Sequence, residues 1–301
     1  MTTPDVFQHY LTAKGTAIIV PPEDADTHCL LSPDDLRNVA RLMPQEIFEN
    51  LCAVIFVADP DDDQQDDEQP PAAGDVPSGR PRSIELIPGV FINDRYLGTY
   101  LAPYRIIRLY AYHYDPAALP QRAMWELFFR FRILTVFLHE VAHHVDRQRL
   151  YASGEGLLPP SEHREAESEQ LSYPWVLAYG IPYLEQAYAE EVRQFTTWTE
   201  QYVGRRLSLA DLVVPPRIFA DEARVFTPND TIFSIESLIL RLATMVAEGH
   251  TMRDTRYNSA LSFHCRGEYP EASDILQALL ADDPHDDEAH QLYDECRGHI
   301  A

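Results

Sequence analysis

Leu138-His139-Glu140-Val141-Ala142-His143-His144-Val145-Asp146 is the stretch on which the reading of this chain turns. It holds one H-E-x-x-H pattern. His139 and His143 stand four residues apart, so on a helix both project from one face about one turn apart. At that separation two imidazole nitrogens can share one tetrahedral Zn²⁺ at about 2.0–2.1 Å each. Glu140 then stands beside the metal, where it can take a proton from zinc-bound water and later pass it to a leaving group. The plainer alternative is a pair of core histidines hydrogen-bonded to carbonyls or carboxylates.

The surroundings predict a helix for the motif. Pro120 suits a first helical turn, and neither Gly nor Pro follows until Gly154. The approach is strongly apolar (Phe128, Phe129, Phe131, Ile133, Leu134, Phe137, Leu138), which suits a helix buried on more than one side. Two histidines and a glutamate on such a helix require polar partners or a metal.

Upstream, short β-rich runs predict a small sheet. Thr16–Val20 reads as a strand stopped by Pro21 and Pro22. Ser32-Pro33 reads as a cap with proline at the first position of a helix ending near Met43, and a short helix follows from Gln45 to Asn50. Cys52–Val57 is an apolar run of strand length. Residues 59–83, acidic and then rich in Pro, Gly and Ser, read as a disordered loop. Ser83–Ile87, Val90–Ile92 and Arg105–Tyr112 read as further strands, and a strand edge along the cleft could take an extended peptide.

Zinc held by two histidines needs at least one more protein ligand, with a position left open for water. A second acidic helix, Ser161–Leu171, can supply it, and Glu162, Glu165 and Glu169 fall on one face. An ordinary solvated acidic face would look the same. Here the chain resembles the gluzincin metallopeptidases, whose second helix carries a glutamate ligand in the pattern E-x-x-(small)-(acidic), matched by Glu165-Ala166-Glu167-Ser168-Glu169. The resemblance implies that Glu165 is the third ligand and that Glu169 orients one ligand histidine through its other ring nitrogen. Glu162, 19 residues after His143, is the rival ligand. The metzincin pattern is absent, because positions 146 and 149 hold Asp146 and Arg149. Gluzincins also use a Tyr, His or Arg to steady an oxyanion; Tyr110, Tyr112, Tyr173, Tyr179 and Tyr183 are candidates. His144 points about 100° away from His143 and reads as structural or surface. His163 could approach the metal from the second helix. Asp146 reads as an outer partner of the ligands or a helix-surface charge.

Residues 182–206 and 230–249 read as helices. Ala260–Pro284, with Gly267-Glu268-Tyr269 at its turn, resembles a tetratricopeptide repeat, and Asp286–Cys296 reads as the next helix. Only one to one and a half repeats fit, so the helix pair is either a structural cap or a face for a protein partner.

The expected fold class is α+β: a small mixed sheet packed on the motif helix, then a mainly helical C-terminal part. Residues 1–215 form the expected zincin-like domain and 216–301 the helical region, with the repeat-like unit near 255–300. The net charge of −24 argues against nucleic-acid or anionic-membrane partners, which demand clustered Lys and Arg. The 4 cysteines are scattered, without C-x-x-C, and read as free thiols in a reducing compartment. The N-terminus lacks the marks of a signal peptide, and a cytoplasmic location is expected. The resemblance implies a zinc metalloendopeptidase with His139, His143 and Glu165 as ligands, Glu140 as general base and a peptide or protein substrate. The rival expectation is a non-catalytic or single-target regulator acting through its C-terminal helices.

Overall fold

The computed structural model describes residues 9–13, 15–20, 26–57, 83–93, 97–153, 162–215 and 234–300. The expected disordered loop therefore lies, apart from Ser83, outside the described residues, as do the Ser161 cap and the stretch from 216 to 233. The chain forms two compact units, Met1–Ala187 with Pro215–Phe219, and Tyr188–Val214 with Ala220–Ala301. The division falls ahead of the 215/216 boundary drawn on the sequence, and the helix beginning at Ala189 groups with the C-terminal helices.

In the first unit, β1 (His9–Tyr10), β2 (Ala17–Ile19), β4 (Ala53–Val57), β8 (Ile106–Tyr110) and β7 (Gly98–Leu101) form a sheet in the order β1-β2-β4-β8-β7. The three central strands are parallel, with Ile18 opposite Val54 and Val54 opposite Ile107. Both edge strands are antiparallel. Parallel neighbours need a crossover. Between β2 and β4 it is α1 (Pro33–Leu42), which starts on a Ser32–Asp35 capping box with Pro33 in its first turn and buries Leu36, Val39 and Ala40.

A second sheet runs β3 (Thr27–His28), β9 (Tyr112–His113), β6 (Val90–Asn93), β5 (Ser83–Ile87), all antiparallel. The run expected as one strand over Arg105–Tyr112 is divided at Ala111. Its partner β4 ends at Val57, whose carbonyl accepts from the Ala111 N–H, and the chain then pairs with β3 and β6 instead. One segment thus serves both sheets.

The motif helix is α2 (Arg122–Ser153), 32 residues long. It begins after Pro120 rather than at it, because Gln121 takes a left-handed φ of 53° and its carbonyl caps the first turn. Phe128, Phe129, Phe137, Leu138, Val141 and Ala142 are wholly buried. Tyr112 of β9 stacks on Phe129 at 4.6 Å, anchoring the helix to the sheet that leads into it. The buried Glu126 is matched by the Tyr114 hydroxyl at 2.9 Å and by Arg122 at 2.6 Å. Across α2 packs α3 (Glu162–Trp175), longer than the expected helix; Pro174 near its end is followed by a π turn, Val176–Gly180, and then α4 (Ile181–Ala187).

The second unit is helical: α5 (Ala189–Tyr202), α6 (Ile235–Ala247), α7 (Met252–Cys265), α8 (Tyr269–Asp282) and α9 (Asp287–Ile300). The expected helix pair is present as α7 and α8, turning through Gly267 at φ 79°, with α9 packed on α8. Ala260, Phe263, Ala272, Ile275, Leu276, Leu279, Ala289 and Leu292 form its core. The Arg253 guanidinium forks onto Asp286 at 2.7 and 2.6 Å and fastens the start of α7 to the start of α9. All four cysteines are free thiols. Among the described residues no helix is long and apolar enough to cross a membrane.

The mixed α/β architecture with a helical C-terminal part matches the expected class. The strand β7 was not legible in the sequence, yet it lies directly against α2. A Cβ on Gly98 would stand 2.4 Å from Val136 Cγ1 and 3.1 Å from the Arg108 carbonyl oxygen, so only glycine permits this approach. Gly98→Ala is expected to lower stability by about 1–3 kcal/mol in urea unfolding. Adding Val136→Ala should restore part of the loss; an unchanged midpoint for Gly98→Ala would refute the contact.

Candidate metal centre

Helical periodicity sets His139 and His143 on one face of α2, and the burial of the remaining faces fixes the rotation of the helix, so that this face meets α3. The buried positions of α3 around the contact are small: Ala166, Ser168 and Ser172. Small residues allow the two helices to approach closely, which brings the Glu165 carboxylate within reach of both imidazoles.

The three donors converge. His139 Nε2 and His143 Nε2 are 3.0 Å apart. One oxygen of Glu165, Oε2, lies 3.3 Å from the first and 3.4 Å from the second. Atoms bound to a tetrahedral metal at 2.0–2.1 Å are separated by about 3.3 Å, from the geometry of the tetrahedron. The observed triangle has that size. Two neutral nitrogens and one carboxylate oxygen also suit zinc chemically. Among the described residues this is the one group of three His, Cys, Asp or Glu side chains able to hold a metal ion. The Glu165 side chain is 46 % exposed against 24 % and 19 % for the histidines, so the triangle opens to solvent on the α3 side. Hydrogen bonds from His139 and His143 hold the Glu165 carboxyl well below the usual carboxylate range. For His139, burial favours the neutral ring, but the Glu165 hydrogen bond and the charges of Glu140, Glu165 and Glu169 outweigh it and raise its pKa.

Glu140 is buried beside the triangle. Burial pushes its pKa up, opposed by His143 and His139 and by a hydrogen bond from the Tyr100 backbone N–H. Tyr100 sits on β7, so the edge strand of the first sheet reaches the glutamate of the motif. The same residue uses its hydroxyl on the other histidine of the run. Tyr100 Oη lies 2.9 Å from His144 Nδ1, and His144 Nε2 lies 2.9 Å from the Glu49 carbonyl oxygen. Because Nε2 faces a carbonyl it carries the proton, and Nδ1 accepts from the tyrosine. Burial lowers the pKa of His144 and keeps it neutral. His144 is thus a structural residue in the interior, not a surface one.

Other candidates fall elsewhere. Tyr110 and Tyr112 are in the core, and the Tyr183 hydroxyl donates to Asp35 Oδ1 at 2.6 Å. Tyr173 and Tyr179 follow Glu165 by about 12 and 20 Å of helical rise. Asp146 is buried, which excludes a helix-surface charge. Glu162 and His163 begin α3, and their side chains lie outside the described residues. The ring nitrogen of His143 that faces away from the triangle, Nδ1, meets Ser168 Oγ at 2.9 Å, not a carboxylate. The charge of Glu169 instead acts on His139. Sequence reasoning missed Tyr100 and Ser168: a four-residue strand opening on glycine and a serine in an acidic helix carry no periodic signal.

No protein-family model, curated protein or solved structure matches the chain.

Tyr100→Phe removes the donor to His144 and leaves the backbone N–H on Glu140 in place. It is expected to cost about 1–3 kcal/mol in denaturant unfolding, as for a buried acceptor left unsatisfied, with metal content unchanged. Loss of metal on this substitution would contradict the separation of the two contacts.

Proposed function

We propose that the chain is a zinc-dependent metallopeptidase of gluzincin type, with His139, His143 and Glu165 holding the ion and Glu140 as general base. The observation that carries this reading is the triangle of 3.0, 3.3 and 3.4 Å between the three donor atoms, the size a tetrahedral zinc requires. When bound, zinc supplies Lewis acidity and an open coordination position at the mouth of the triangle.

The chain supplies the rest. Glu140 stands between the ligand face of α2 and β7, and burial raises its proton affinity, as suits a group that takes a proton from the attacking water and returns it to the departing amine. A hydrogen bond from the Tyr100 backbone N–H opposes part of that rise. β7 is an antiparallel edge strand, so an extended peptide can add alongside it and lie across the donor triangle. Keeping an intact glutamate next to the first histidine favours a hydrolase over a purely structural metal site, which needs no base there.

Zinc measured on protein purified without chelator is expected at about one ion per chain. His139→Ala, His143→Ala and Glu165→Ala should each lose it, and Glu162→Ala should keep it. Retention by Glu165→Ala with loss in Glu162→Ala would transfer the third ligand to Glu162. Glu140→Gln is expected to keep zinc while hydrolysis of a peptide library falls by at least about 10²-fold. Full proteolysis by that variant would refute the role of Glu140.

A further inference from the structure

We infer that Ser168 is the positioning residue for the ligand His143: its hydroxyl oxygen accepts the Nδ1–H of that imidazole and so directs the Nε2 lone pair into the donor triangle. The inference rests on the metal-site reading and extends it to a residue that no ligand pattern assigns. Three observations carry it. Ser168 Oγ is 2.9 Å from His143 Nδ1. Ser168 is fully buried, so water does not compete for that ring nitrogen through the serine side. The other nitrogen of the same ring faces His139 Nε2 at 3.0 Å and Glu165 Oε2 at 3.4 Å. An imidazole that binds a metal through one nitrogen carries its proton on the other, and the acceptor of that proton sets the tautomer and the ring plane.

Ser168 follows Glu165 by three residues, one turn of α3. The third ligand and the support of the second ligand therefore come from a single helical turn. Docking of α3 on α2 completes both at once. A serine is also a neutral acceptor, so His143 gains orientation without the added basicity that a carboxylate partner would confer.

The experiment is zinc affinity by competition against a chromophoric chelator, on the full chain, for wild type, Ser168→Ala and Ser172→Ala. Ser172 is buried on the same helix but bonds the Glu169 carbonyl, so it controls for loosened packing. Ser168→Ala is expected to weaken zinc binding about 10–100-fold, and Ser172→Ala to leave it within about twofold of wild type. In the zinc-loaded wild type, the His143 Nδ1–H proton should be visible by NMR as a slowly exchanging resonance, and it should broaden away in Ser168→Ala. Equal affinity in wild type and Ser168→Ala, or equal weakening in both serine variants, overturns the inference while leaving the metal site intact. A wild type that binds no zinc overturns the metal site itself, and the role of Ser168 with it.

Discussion

Three metal-competent donors and a carboxylate sit on or against a helix that is otherwise wrapped in apolar side chains, and that conflict constrains everything around it. A polar group buried without a partner costs about 1–3 kcal/mol, and a charged one more. Around α2 several of these demands are met by identifiable partners. Glu126 meets Tyr114 and Arg122, His144 meets Tyr100 and Glu49, and Glu140 meets the Tyr100 N–H. His139 and His143 direct one nitrogen each at Glu165. These polar contacts are spread along α2 from Glu126 to His144, and those of Glu126 with Tyr114 and of His144 with Tyr100 and Glu49 tie it to neighbouring elements.

Two of those neighbours have opposite tasks. β7 lies so close that Gly98 has no room for a side chain, and the strand presents backbone to Glu140 and a hydroxyl to His144. It forms one wall of the site. α3 approaches through Ala166, Ser168 and Ser172 and completes the donor set with Glu165. Its end passes Pro174 and a π turn whose Gly180 would place a Cβ 3.3 Å from Leu134 and Leu138 on α2. That contact lies next to His139 in sequence, so the packing of the turn bears on the position of this histidine.

Much of this was legible in the chain. The H-E-x-x-H spacing, the apolar run before it and the Ser32-Pro33 start signal each express a local rule: helical period, burial, or capping. They led to α2 and α1, the apolar run Cys52–Val57 led to β4, and the resemblance carried by the glutamate pattern led to Glu165. The readings that slipped turned on backbone conformation or on partners distant in sequence. Gln121 in a left-handed conformation moves the start of α2 past Pro120, and the end of β4 at Val57 splits a continuous β-rich run at Ala111. A glycine-led strand of four residues, β7, gives no alternating pattern to detect.

The sequence by itself determined that His139 and His143 could share a metal, because donor chemistry and spacing along one helix are local properties; it left the third donor between Glu165 and Glu162. It also determined that their helix is buried, because apolar periodicity is local too. Only the tertiary structure decided which groups support those donors. Ser168, Tyr100 and Glu49 lie 25, 44 and 95 residues from the histidines they touch. Their roles follow from how α3, β7 and the loop before β4 pack on α2, and hydrogen bonds across such separations leave no trace in the order of residues.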